Sequence, residues 1–132
     1  NQKNNNNFFR GGEAVRINIK VKVHQKMHNP IIGFLVKDRL GQDLFGENSL
    51  PFTKNKKVVV NSGNTIEAKF NFIIPFLQNG YYSVMVSFAD GDQQDNIQHH
   101  WLHDAIIFNI SSSKVKHGIF NLDSINFKSK VL

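Results

Sequence analysis

The sequence predicts an all-β domain, an antiparallel β-sandwich of immunoglobulin-like or jelly-roll type. Apolar residues recur mostly with period two, the pattern of strands buried on one face. Turn-forming residues separate about seven such runs, and no run carries a convincing helical stripe.

The clearest strand is AVRINIKVKVH, residues 14–24, where Val15, Ile17, Ile19, Val21 and Val23 point one way. Arg16, Asn18, Lys20, Lys22 and His24 point the other, giving one dry and one wet face. After the turn-like His28-Asn29-Pro30 comes PIIGFLVKD, in which Gly33 signals a bulge or a close backbone approach. A short run follows around Phe45 in DLFGEN. Next, TIEAKFNFIIP holds Ile66, Ala68, Phe70, Phe72 and Ile74 in phase and is stopped by Pro75. Asn79-Gly80 then opens GYYSVMVSFAD, where Tyr82, Val84, Val86 and Phe88 alternate with Tyr81, Ser83, Met85 and Ser87. The polar loop DGDQQDN leads into IQHHWLHDAIIF, and the tail GIFNLDSINFKS has room for one or two more strands.

The chain has 132 residues, enough for one domain with its own core. Residues 1–10, opening with NQKNNNN, read as flexible linker, with further chain expected upstream. Residues 11–132 read as a single sandwich. Cysteine is absent, which removes disulfides and thiolate metal sites. No apolar run reaches the length of a membrane-spanning helix. The net charge of +6 invites a nucleic-acid reading. Yet the lysines are scattered over 20/22/26, 54/56/57, 114/116 and 128/130, without an aromatic platform, so no nucleic-acid partner is expected.

The stretch 97–108 concentrates three of six histidines and the sole tryptophan. Its β-branched and aromatic content and the preceding turn make it a strand. Strict alternation then puts Ile97, His99, Trp101, His103 and Ala105 on one face. Gln98, His100, Leu102, Asp104, Ile106 and Phe108 fall on the other, with Leu102, Ile106 and Phe108 toward the core. On a strand, His99 and His103 stand roughly 13 Å apart, too far for one metal ion. A helix would bring them together, as in zinc proteases. What remains is an indole between two imidazoles on an exposed face. That suits a sugar, whose C–H face stacks on the ring while its hydroxyls find polar partners; a tryptophan without a ligand is the alternative.

Other chemistries find little support. Asp90, Asp92 and Asp95 hint at calcium, but the glycine and glutamate positions of an EF-hand loop hold Asp95 and Trp101. Asp38, Asp43 and Glu47 could form a hydrolytic carboxylate pair, although ion pairing with Arg39 explains them equally well. Neither a G-x-S-x-G elbow nor a phosphate-binding loop is present. Asn109-Ile110-Ser111 matches a glycosylation sequon, a short pattern common by chance.

Three blocks in order, PIIGFLVKDRLGQDLFGEN, GYYSVMVSFADGD and QHHWLHDAIIFNI, carry a more specific signal. They resemble the C-terminal domain of the ATP-binding subunit of bacterial O-antigen polysaccharide ABC exporters (Wzt type), over about Gly11 to Ile110. The matching positions are Gly33, Phe34, Asp38, Gly41, Leu44, Phe45, Gly46 and Asn48; then Gly80, Tyr82, Gly91 and Asp92; then His99, Trp101, Asp104, Ala105 and Phe108. The resemblance implies a non-catalytic carbohydrate-binding module that recognises the finished, often capped, non-reducing end of the polysaccharide. It implies a cytoplasmic position at the inner membrane, reached through an upstream ATP-binding domain and a membrane subunit. It also implies a homodimer in which a C-terminal strand is exchanged, and no cofactor.

The expected sugar site is therefore Trp101 as platform, with His99 and His103 beside it. Met85 and Ser87 lie nearby if strands 81–89 and 97–108 pair. Asn48, Asp90 and Gln98 are candidates at the loop end. No catalytic or metal-ligating residue is assigned. The competing expectation is a structural dimerisation module without glycan contact.

Overall fold

The computed structural model describes residues 7–50, 58–91, 96–119 and 126–131, with backbone alone at 96–99. Within them lie seven strands: β1 (Phe8–Phe9), β2 (Ala14–Lys22), β3 (Pro30–Asp38), β4 (Asp43–Asn48), β5 (Thr65–Ile73), β6 (Gly80–Gly91) and β7 (Asn96–Ile110). One sheet has the order β1-β7-β6-β3-β4; the other pairs β2 with β5. All pairings are antiparallel except that of β1 with β7. The order β7-β6-β3-β4 is that of strands G, F, C and C′ in a variable-type immunoglobulin sheet, with β2 and β5 in the places of B and E. Of the two sandwich types expected, the immunoglobulin-like one is realised. Several expectations fall outside the described residues: Asn1 to Asn6 of the linker, Lys54, Lys56 and Lys57, Asp92 and Asp95 of the calcium-like loop, and 120–125 of the tail.

The period-two pattern builds the core as expected. Ile17 and Ile19 of the small sheet, and Val23 just past the end of β2, are buried in one core with Ile32, Phe34, Val36, Val84 and Phe88 of the large sheet. Aromatic contacts join the layers: the Phe34 ring lies 5.5 Å from Phe72 in a stacked pair and 5.1 Å from Phe70 edge-on. Tyr82 stacks on Phe108 at 5.4 Å. Such pairs contribute about 0.5–1.5 kcal/mol each beyond their burial.

Three features depart from the sequence reading. Phe8 and Phe9, inside the stretch expected to be linker, form β1, and the Phe9 ring meets Phe108 edge-on at 6.0 Å. Pairing with β7 and burial of one ring outweigh the polar composition around them. Leu102 and Ile106 take the inward register positions opposite Val86 and Val84, yet stay 47% and 37% exposed. The described facing sheet is only two strands wide and does not cover them. Finally, the described part of the tail, Asn126–Val131, forms no strand and is exposed.

Candidate functional site

The outward face of the five-stranded sheet carries the site. Antiparallel pairing places directly opposed residues on the same face. Trp101 on β7 opposes Ser87 on β6, Ser87 opposes Gly33 on β3, and Gly33 opposes Asn48 on β4. These four residues form one row across four strands, about 14 Å from end to end. Trp101 is 46% exposed, which leaves part of its indole available to a ligand on this face. Two strands away, Gly33 is buried beneath its neighbours in the row. A Cβ there would lie 3.1 Å from both the Asn48 Cβ and the Ser87 Oγ, so glycine lets those two neighbours close over it without giving way. Met85 and Leu35, opposed on β6 and β3, make the adjoining row. Met85 is buried and supplies floor, not an exposed contact.

Two irregularities in β7 modify the expected alternation. Phe88 opposes His100 and Ala89 opposes Gln98, so His99 is an extra residue in the ladder. This shift puts Gln98 level with Ala89, which is in phase with Ser87, where strict alternation assigned Gln98 to the opposite face. Further on, Val86 opposes Leu102 and Val84 opposes Ile106, leaving three residues, His103 to Ala105, against Met85 alone. Asp104 takes the left-handed conformation there, with φ 51°, which an aspartate tolerates better than most residues. The bulge turns Asp104 toward Ser83 and Ile107 on the outward face, correcting its inward assignment. His103 is exposed at the same bulge. Because 97–108 is strand, the helical meeting of His99 and His103 does not arise.

The remaining candidates have structural tasks. Asn48 accepts the Leu50 N–H on Oδ1 at 2.9 Å, which orients its amide at the end of the row. The Asp90 carboxylate accepts the backbone N–H of Asn29 at 2.7 Å and of His28 at 3.3 Å, tying the connection before β3 to the end of β6. That use leaves Asp90 little capacity for a ligand. The acids of the β3–β4 turn are each engaged locally. Asp38 accepts the N–H of Leu40 and of Gln42, Asp43 pairs with Lys37 at 3.5 Å, and Glu47 accepts the Asn48 N–H. Sequence reasoning missed the contribution of Gly33 to the row and the outward turn of Asp104. The first was hinted at by a glycine within a strand pattern; the second had no signal beyond aspartate's tolerance of positive φ.

Fold and face together define an immunoglobulin-like sandwich whose five-stranded sheet presents, on its outward face, an exposed indole in line with a hydroxyl and an amide. A family model described as the Wzt C-terminal domain matches residues 1–122, so the chain belongs to the Wzt C-terminal domain family. A solved structure titled "Crystal structure of the C-terminal domain of wzt" is similar, with a TM-score of 0.75 and 24% identity. The match covers 91% of this chain and 72% of that one, and at this identity it speaks for the fold. No curated protein matches the chain.

Proposed function

We propose that the protein is a non-catalytic carbohydrate-binding module of an O-antigen ABC exporter, recognising the non-reducing end of the polysaccharide, capped or uncapped. The observation that carries this reading is the outward row Trp101–Ser87–Gly33–Asn48. Its groups, an indole face, a hydroxyl and an amide, suit stacking and hydrogen bonding to a sugar. Trp101 is the stacking platform, Ser87 and Asn48 offer hydrogen bonds, and His99, His103 and Gln98 are the partners nearest in the chain. Family membership supports a part in O-antigen export. In that setting the module sits at the cytoplasmic face of the inner membrane, attached to an ATP-binding domain that acts with a membrane subunit.

Calorimetric titration with the O-polysaccharide made alongside this protein, beside an unrelated polysaccharide, tests the reading. Saturable binding to the cognate glycan alone, lost in a folded Trp101→Ala variant, is the expected result. Undiminished binding by that variant would remove Trp101 from the site.

A second reading, assembly into a dimer, is favoured by a separate observation. The outer edge of β5 is unpaired among the described residues. Beneath it an apolar groove of about 890 Å³ runs between β4 and β5, lined by Phe34, Phe45, Ile66, Phe70 and Phe72. Meanwhile Asn126–Val131 alternates, with Phe127 86% and Val131 98% exposed. In this reading each copy lays that segment along β5 of the other. Light scattering over a dilution series should then show a dimer for the chain and a monomer after removal of 126–132. An unchanged dimer would count against strand exchange.

A further inference from the structure

The same outward face holds a dent beyond the reach of the Trp101 row. It has a volume of about 300 Å³, and its walls include Lys37, Arg39, Tyr81, Ser83, Asp104 and Ile107. Ser83 lies between Lys37 on β3 and Ile107 on β7, four residues from Ser87 and in phase with it. The dent and the Trp101 row are therefore about 13 Å apart along β6, the reach of about three linked sugar rings. The Met85–Leu35 row forms an apolar floor between them. Tyr81, at the far end, is 64% exposed.

The charges of this dent are not equally available. Asp38 is occupied by the turn amides of Leu40 and Gln42, and Lys37 by Asp43. The Asp104 carboxylate makes no hydrogen bond or ion pair with the described residues, and Arg39 makes no ion pair with them. The bulge that brings Asp104 here costs β7 a regular ladder and leaves its carboxylate open to the face. Among the described residues, a guanidinium and a carboxylate without ion-pair partners, beside a hydroxyl and an exposed phenol ring, suit a ligand that is uncharged and rich in hydroxyls. A carboxylate only accepts hydrogen bonds and a guanidinium only donates, whereas a sugar hydroxyl does both.

We propose that this dent is a second sugar subsite, which takes a neutral, hydroxyl-rich ring further along the glycan whose other ring stacks on Trp101. Tyr81 provides a platform, Asp104 accepts hydroxyl protons, and Arg39 and Ser83 donate to hydroxyl oxygens. The inference rests on the reading of this face as glycan-binding and adds to it a direction, along the strands, and a length of about four rings.

The test uses the O-polysaccharide made alongside this protein, cut by mild acid into fragments of defined length and titrated against the chain and its variants. Asp104→Asn keeps a residue that tolerates positive φ and removes only the charge. Wild-type affinity is expected to rise with length up to about four rings. Asp104→Asn and Tyr81→Ala should each lose about tenfold on the long fragments, the scale of one charge-assisted or stacking contact, and bind the shortest ones as before. Trp101→Ala should lose binding at every length. If both Asp104→Asn and Tyr81→Ala match the wild type on long fragments while Trp101→Ala fails, the second subsite is wrong and the Trp101 site stands. If the wild type binds no fragment, or Trp101→Ala binds as well as it does, the glycan-binding face is wrong and the subsite goes with it.

Discussion

The Tyr82 hydroxyl donates a hydrogen bond of 2.6 Å to the carbonyl of Gln78, four residues upstream at the corner between β5 and β6. This is the tyrosine corner of immunoglobulin-like sandwiches, and it locks the start of β6 against the turn that precedes it. Burial first, and then the Asp38 carboxylate, push the Tyr82 phenol above its ordinary range, with Arg39 opposing. A raised folded value means that the neutral phenol stabilises the fold fully below the unfolded value, near 10, and that this contribution fades as pH rises through the folded value. Tyr82→Phe should cost about 1 kcal/mol at neutral pH. Denaturant melts should show the gap between the two proteins narrowing above pH of about 10.

Glu13 should behave with the opposite sign. Its carboxylate accepts the backbone N–H of Arg10 at 2.8 Å and of Gly11 at 2.7 Å. The Arg10 bond is the main cause that holds its carboxyl below the usual range, against some desolvation. A lowered folded value gives stability that is present above the unfolded value and lost as pH falls through the folded one. Since the bond anchors the turn between β1 and β2, Glu13→Gln should loosen β1 before the core. Amide exchange at Asn109 and Ser111, which donate to Asn7 and Phe9, is the readout. Faster exchange there, with unchanged protection in β3, is the expected outcome.

The glycines of the outward sheet should differ sharply in their tolerance. At Gly46 a Cβ would press into the Phe34 carbonyl and lie 3.1 Å from the Leu35 Cα, all backbone of the neighbouring strand. At Gly33 the nearest atoms are the Asn48 Cβ and Ser87 Oγ at 3.1 Å and the Glu47 carbonyl at 3.2 Å, none as close as the Phe34 carbonyl is at Gly46. Gly46→Ala should therefore cost about 2–3 kcal/mol and Gly33→Ala about 1 kcal/mol. Equal losses in thermal unfolding would contradict the packing described for β4.

Leu102 and Phe108 share an inward phase but not an environment. Phe108 is 7% exposed and touches Phe9 and Tyr82, whereas Leu102 is 47% exposed. Phe108→Ala should cost about 3–5 kcal/mol, and Leu102→Ala about 1 kcal/mol because half of its surface is already wet. A comparable loss for both would mean that Leu102 is covered in solution, as a dimer would allow; a dilution-dependent melt separates that case.

The strands around Ile17, Phe34, Phe72 and Val84 were legible because a two-residue period needs only local information. Pro75 and Asn79-Gly80 marked the corner between β5 and β6 for the same reason. The row of the candidate site was half legible. Trp101 stood out by its type, and Ser87 followed once β6 and β7 were expected to pair. The places of Asn48 and Gly33 beside them depend on how β3 registers against two other strands, which no local pattern encodes. Asp104 was misplaced because a bulge cancels alternation, and bulges arise where one strand must bend to follow its neighbours.

An all-β chain, most of its strands and core, and its family were readable along the sequence, because alternation, turn chemistry and three ordered motif blocks are local features. Only the tertiary structure decided which sheet each strand joined, how far the smaller sheet covers the larger, and which side chains meet across strands. Those outcomes depend on cross-strand register and on the competition of distant segments for the same apolar surface, energies that exist only once residues such as Trp101, Ser87, Gly33 and Asn48 stand side by side.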